Sequence, residues 1–135
     1  MIIIVCIDNR KGMMFHHRRQ SQDKVLRSHI LEMTGPDKLW MNEYSYKQFS
    51  DADSALLHID PNFLDKAGSG EYCFVENSDP SPYKEKIEKV ILFHWNRDYP
   101  TDTYFTLDIS GWTLEESEEI AGYSHEKITK EIYTR

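Results

Sequence analysis

Two rhythms of apolar positions divide this chain into short elements. It opens on an unbroken apolar run, Ile2 to Ile7, closed by Asp8-Asn9. A run with no polar position fits a strand buried on both faces. Residues 8–20 are read as a polar loop containing Gly12. Ser21 is placed to cap a helix in which Leu26, Ile30 and Met33 recur at helical spacing and Val25 widens the stripe. Gly35-Pro36 ends it, because glycine tolerates the left-handed cap and proline cannot continue the hydrogen-bond ladder.

Shorter segments follow in alternation. Leu39-Trp40-Met41 predicts a strand, and Asn42 caps a short helix through Phe49. Residues 50–54 are a polar loop, Leu56 to Ile59 a brief strand, and Asp60-Pro61 a helix start with proline at the first turn. That helix stops by Gly68. Glu71 to Glu76 and Val90 to Trp95 predict strands on either side of a short helix, Tyr83 to Glu88. After a turn at 97–102, Thr103 to Leu107 predicts another strand. Trp112 to Ile120 and Glu126 to Tyr133 predict an antiparallel pair around Gly122. Strands alternating with helices predict the α/β class: a mixed, mostly parallel sheet with flanking helices and a C-terminal antiparallel hairpin. No repeat or linker interrupts the pattern, so one domain over 1–135 is expected. Tyr46 and Phe49 share a helix face, and they and the three tryptophans are expected in the core.

Charge changes this picture at one end. The net charge of −7 argues against a general nucleic-acid binder. Yet residues 1–30 carry six Lys/Arg against two acids, while the rest carries ten against twenty-one. Such a basic patch on an acidic body can select a small anion, or the two parts can pack together and partly neutralise. Cys6 and Cys73 sit in apolar strand-like runs and read as buried thiols of a reducing compartment. The opening MIIIVCID is too short, and too soon followed by charge, for a signal peptide or membrane span. A cytoplasmic protein is expected.

The order of elements resembles dihydrofolate reductases. MIIIVCIDNRKG, then a loop and a helix, is similar to their opening. LWMNEYSYKQF is similar to their second strand and following helix. KIEKVILFHWNRDYPTDTYFTLD and the closing SHEKITKEIYTR match their later strands. The resemblance implies that fold and a cleft at the carboxyl end of the first strand. It places Asp23 where the family has an acid that hydrogen-bonds a pterin ring, since a carboxylate can accept two parallel hydrogen bonds. An acid there also favours the helix dipole. Elsewhere the functional text departs. The loop before Asp23 reads Phe15-His16-His17-Arg18-Arg19-Gln20 instead of an apolar lid. Glu76-Asn77-Ser78-Asp79 stands where the family has a Gly-Gly pair beside the cofactor phosphates. Asn42-Glu43-Tyr44-Ser45 stands where a basic residue holds the adenosine phosphate, and Phe93 replaces a threonine. Acids at these places would repel a pyrophosphate. They argue against a nicotinamide dinucleotide bound in the usual pose, and no cofactor is assigned.

The candidate ligand-binding residues are therefore Asp23, Arg18, Arg19 and His16. Asp23 would receive a polar ring edge and the arginines an anionic group. His16 and His17 are adjacent and would point opposite ways on an extended backbone. A metal site from His16, His58 and His94 lacks ligand spacing, and none is assigned. Ser124-His125-Glu126 fails as a catalytic chain because sequential neighbours cannot align, so a hairpin turn is expected there. The leading reading is a small-molecule-binding protein for an anionic, pterin-like or nucleotide-like ligand, distinct from a standard NADPH-dependent reductase. The alternatives are a divergent pterin or nucleotide reductase, and a protein-interaction module whose copies pair head to tail into a homo-oligomer.

Overall fold

The computed structural model describes residues 1–49 and 56–135. The loop expected at 50–54 lies outside the described residues. Seven strands form the main sheet: β1 (Ile2–Ile7), β4 (Leu39–Met41), β5 (Leu57–Ile59), β6 (Tyr72–Phe74), β7 (Lys89–His94), β9 (Thr113–Ile120) and β10 (Ile128–Thr134). Their spatial order is β5-β4-β6-β1-β7-β10-β9. The first five in that order run parallel, with Ile4 opposite Phe74 on one side and Ile91 on the other. β10 runs antiparallel to both β7 and β9. This is the mixed, mostly parallel sheet with a C-terminal hairpin.

β1 sits at the centre, and its unbroken apolar text has a direct use. Ile3, Val5 and Ile7 enter one core cluster, while Ile2, Ile4 and Cys6 pack with the other. Alternate side chains of a strand point to opposite faces, so a strand covered twice needs both sets apolar. On one face lies helix α1 (Lys24–Thr34), which buries Leu26, Ile30 and Thr34, with Phe49 of helix α2 (Glu43–Phe49) beside it. Burying each large apolar side chain stabilises by about 1.5–3 kcal/mol. Phe63 and Leu64 of the short helix α3 (Phe63–Lys66), with Met13, Met14, Phe105 and Leu107, cover the opposite face.

Several boundaries differ from the sequence reading. The loop expected over 8–20 contains strands β2 (Gly12–Phe15) and β3 (Arg18–Arg19), which join β8 (Thr103–Tyr104) in a second, three-stranded sheet. Met13-Met14-Phe15 is the apolar signal that the surrounding charge obscured. The predicted strand Thr103 to Leu107 shortens to β8, because Phe105 and Leu107 turn into the core. Asp23, not Ser21, caps α1: its Oδ1 accepts from the Val25 and Leu26 amides at 2.9 and 3.2 Å. Met33 is only partly buried, and Thr34 takes the inward position. Asp60-Pro61 makes a turn, with Asp60 Oδ1 accepting from the Asn62 amide at 2.8 Å, and the helix starts two residues beyond Pro61. The short helix expected over 83–88 is a 3₁₀ turn, Ser81–Lys86.

Other local signals hold. Asn42 Oδ1 accepts from the Ser45 amide at 3.1 Å and so caps α2. Gly35 ends α1 at φ +51°, with its amide donating to Leu31 O at 3.2 Å. A side chain disfavours this left-handed geometry, and glycine removes that cost. Phe49 and Trp95 are buried, while Tyr46, Trp40 and Trp112 pack at the core margins. Among the described residues, no helix is long and apolar enough to cross a membrane.

Candidate functional site

The carboxyl ends of β1, β6 and β7 lead into three connected polar clusters. The first is built on Asp8, directly after β1. Its Oδ1 accepts from the Gly12 and Arg10 amides at 2.7 and 2.9 Å. Its Oδ2 accepts from Gln20 Nε2 and the Tyr99 amide, each at 3.2 Å. Burial opposes its charge, but the Gly12, Arg10 and Tyr99 amides outweigh that and hold its pKa below the usual carboxylate range. Asp8 thus ties the β1 turn to the 97–101 segment and positions both edges of the basic hairpin.

That hairpin, β2 to β3, carries the basic text. Phe15 pairs with Arg18, leaving His16 and His17 as a two-residue turn. Both have positive φ, +49° and +61°. This corrects the expectation of an extended His-His pair with opposed side chains. Positive φ at both central residues is the mirror-image turn that matches strand twist, and it usually takes Asn-Gly. Histidine tolerates it at a cost of about 1–2 kcal/mol per residue. The His16 ring stacks on Phe15 with centroids 3.9 Å apart, and its amide donates to Asp102 Oδ2 at 3.1 Å.

Arg19 forms the second cluster. Its Nε and Nη2 donate to Glu76 at 3.0 and 3.2 Å, its Nη2 also donates to Tyr44 O at 3.2 Å, and the guanidinium lies 4.4 Å from the Tyr44 ring centre. Tyr44 OH accepts from the Arg19 amide at 2.7 Å. Ser45 Oγ donates to Glu76 Oε1 at 2.8 Å. Partial burial opposes the Arg19 charge, but the bonded Glu76 carboxylate outweighs it and raises the pKa. The text after β6 and after β4, where the resemblance locates cofactor phosphate contacts, is therefore joined to the hairpin by the chain's own ion pair. The basic N-terminal stretch and the acidic remainder neutralise each other at this point.

The third cluster joins α1 to the β9–β10 turn. Asp23 is 3% exposed. Beyond its cap bonds, Oδ1 accepts from the Tyr123 amide at 3.0 Å, and Oδ2 accepts from the Ser124 amide at 2.8 Å and Ser124 Oγ at 3.2 Å. His125 Nδ1 lies 3.0 Å from the same Oδ2. Burial opposes the Asp23 charge, but Tyr123, His125, Ser124 and Leu26 together hold its pKa far below the usual range. His125 is 2% exposed, its ring stacked on Trp95 at 4.6 Å, and its Nε2 faces Ser21 Oγ at 3.0 Å and Tyr99 OH at 3.1 Å. Sequence reading placed His125 in a hairpin turn, which it does occupy. It missed the partners, because Ser21, Asp23 and Tyr99 are distant in the chain and no local spacing marks them.

The cavities follow from these ties. Between α1 and the sheet, walled by Cys6, Leu26, Ile30, Phe49, Phe74 and Trp95, the cleft encloses only about 20 Å³. That is room for about one water. Outside it, Phe15, His16, Arg18, Arg19, Gln20, Tyr99 and Pro100 line an open pocket of about 440 Å³. Three of the four expected ligand residues, His16, Arg18 and Arg19, meet there. Asp23 does not line it. A larger cavity of about 720 Å³ opens on the face opposite α1, beside the His94–Glu131 pair and Trp112. Its rim mixes Lys11 with Asp8, Asp108 and Glu131.

His16, His58 and His94 do not converge. His58 stacks on Trp40 at 4.9 Å, His94 bonds Glu131 and His16 stacks on Phe15. Among the described residues, no group of three or more His, Cys, Asp or Glu is placed to hold a metal ion.

No protein-family model and no curated protein matches the chain. Comparison with solved structures gives a different result. A dihydrofolate reductase from Enterococcus faecalis, complexed with NADP(H) and RAB-propyl, superposes with a TM-score of 0.70 over 99% of this chain and 95% of that one, at 10% identity. The chain has the dihydrofolate reductase-like α/β fold.

Proposed function

We propose that this protein binds a small anionic molecule carrying a flat ring, on a dihydrofolate reductase-like scaffold, and does not work as a standard NADPH-dependent reductase. The observation that carries this reading is the convergence of His16, Arg18 and Arg19 on one open pocket with Phe15 and Tyr99. Its volume, about 440 Å³, falls within the range of small-molecule sites. Arg18 is exposed and supplies a guanidinium fork for a phosphate or carboxylate. The aromatic rings supply a stacking surface. Two histidines held at positive φ support the same reading, because strained turns persist where their geometry is used.

Two features speak against the reductase alternative. The cleft beside Asp23 has room for about one water rather than a pterin ring. Asp23 already accepts from five backbone or hydroxyl donors and faces His125, so it offers no free edge. The test is thermal unfolding with millimolar inorganic phosphate, nucleoside monophosphates, a pterin and NADPH, in the native chain and in Arg18→Ala and His16→Ala. A ligand at about a hundred times its Kd stabilises by roughly 2.7 kcal/mol. A nucleotide shift lost in both variants is the expected result. A shift from NADPH or pterin that survives both substitutions would return the reductase reading to first place.

A further inference from the structure

We infer that Ser21, His125 and Asp23 form a nucleophilic relay, and that the chain hydrolyses small anionic esters or thioesters through an acyl group carried on Ser21. The basis is a line of atoms assembled from both ends of the chain. Asp23 Oδ2 lies 3.0 Å from His125 Nδ1, and His125 Nε2 lies 3.0 Å from Ser21 Oγ. A serine–histidine–carboxylate set is recognised by geometry and not by chain order.

The contacts fix the direction of the relay. An ionised carboxylate only accepts hydrogen bonds, so the proton of a neutral His125 belongs on Nδ1. Nε2 then carries one lone pair, which the Ser21 and Tyr99 hydroxyls share at 3.0 and 3.1 Å. Ser124 Oγ donates to Asp23 Oδ2 at 3.2 Å and lies 3.1 Å from His125 Nδ1, so the Nδ1 proton is shared between the acid at 3.0 Å and this hydroxyl. Trp95, stacked on the imidazole, fixes the plane of the ring. These contacts also fasten the hairpin to α1, but fastening needs only the Nδ1 side. It does not explain two hydroxyls, Ser21 and Tyr99, on Nε2. Ser21 is half-buried and lines the narrow cleft.

The reaction balances without further reactants than water. Ser21 Oγ forms a bond to the substrate carbonyl carbon while its proton passes to Nε2, and the carbonyl π pair moves onto oxygen. Protonated Nε2 no longer accepts from Tyr99, whose hydroxyl turns to the new oxyanion. The carbonyl re-forms, the C–O or C–S bond to the leaving group breaks, and the leaving group takes the proton from Nε2. Water then repeats the sequence, giving its proton to Nε2 and its oxygen to the acyl carbon, and Ser21 departs with the proton. The anionic substrate class rests on the pocket reading above: Tyr99 reaches Nε2 and also lines the pocket with His16 and Arg18.

The experiment treats the full chain with a neutral fluorophosphonate probe and locates the adduct by peptide mass spectrometry. Phosphonylation of Ser21 is expected. Hydrolysis of a p-nitrophenyl ester should fall about a hundredfold or more in Ser21→Ala, as removal of a triad nucleophile does. Ser21→Ala leaves the Asp23–His125 contact in place, and unchanged thermal unfolding would show the fold intact. No adduct on Ser21, or equal hydrolysis by Ser21→Ala, overturns the relay. A second comparison uses a carboxylate-bearing ester against a neutral ester of the same length. A preference for the anionic ester, lost in Arg18→Ala, supports the substrate class. Ser21 labelling with no such preference overturns the anionic pocket while the relay stands.

Discussion

Asp23 and His125, 102 positions apart in the chain, meet through Oδ2 and Nδ1 at 3.0 Å in a place almost sealed from solvent. One carboxylate thereby caps the first helix, closes the last hairpin and orients an imidazole. Replacing Asp23 with Ala removes all three at once. Removing the buried carboxylate leaves its donors unsatisfied, at roughly 1–3 kcal/mol for each that water cannot reach, and the lost helix cap is part of that. Urea denaturation of Asp23→Ala should show a loss of this size. A loss under about 1 kcal/mol, no more than a typical cap, would mean that the hairpin holds itself without the acid.

The same residue sets an acid limit. Its folded pKa is depressed, so its contribution is complete above the unfolded value of about 3.9 and declines as pH falls toward the folded pKa. Stability should therefore drop steeply below about pH 4. Asp8, also depressed, adds to the slope. Denaturation midpoints between pH 6 and pH 2.5 test this, and Asp23→Asn should flatten the profile. An unchanged slope in that variant would assign the acid sensitivity elsewhere.

Gly122 stands against this junction with no spare room. A Cβ there would lie 2.7 Å from Asp23 Oδ2 and 2.8 Å from the His125 carbonyl oxygen. One of those atoms is backbone, so it cannot swing aside. Gly122→Ala should destabilise by about 1–3 kcal/mol, as overpacking does. Gly111, where a Cβ would meet nothing within 4 Å, provides the contrast. Gly111→Ala should stay within about 0.5 kcal/mol of the parent.

The turn at His16-His17 offers a gain. Both residues hold positive φ, which Asn and Gly adopt more readily. Replacing the pair with Asn-Gly should stabilise the chain by about 1 kcal/mol, less than the strain in that backbone because glycine also loses more chain entropy on folding. The same variant should lose affinity at the open pocket, since His16 lines it. A variant both more stable and equally able to bind would detach the turn from function.

Cys73 is wholly buried, and burial pushes its thiol up to about 12. A thiol-specific reagent near pH 8 should leave Cys73 unmodified in the folded chain and modify it once the chain unfolds. Modification of Cys73 in the native state, located by peptide mass, would reveal opening of the central sheet.

The elements legible in the sequence were those whose signal is local. The run Ile2 to Ile7 specified a doubly covered strand, because every position on both faces had to be apolar. Leu26 and Ile30 set the buried stripe of α1, Gly35 its end, and Asn42 the cap of α2. The basic text at 16–19 gave three residues that do share a pocket. Charge hid Met13-Met14-Phe15, so the second sheet was read as loop. Its strands are stabilised by pairing with residues 103–104, and such long-range pairing leaves no period in a short segment.

What only the tertiary structure decided is how the polar residues are used. Along the chain, the acid before α1 reads as a ring acceptor or a dipole partner. Folding brought the 122–125 turn onto it and committed its lone pairs to that turn. Arg19 was a free cation in the sequence, and the sheet order set it against Glu76 and Tyr44. Ser21 and His125 have no relation along the chain, and come within 3.0 Å only when the last hairpin closes on the first helix. Apolar burial is roughly a sum over positions, so its pattern can be read one segment at a time. A hydrogen bond depends on the distance and direction between two groups, and for groups a hundred residues apart only the completed fold supplies them.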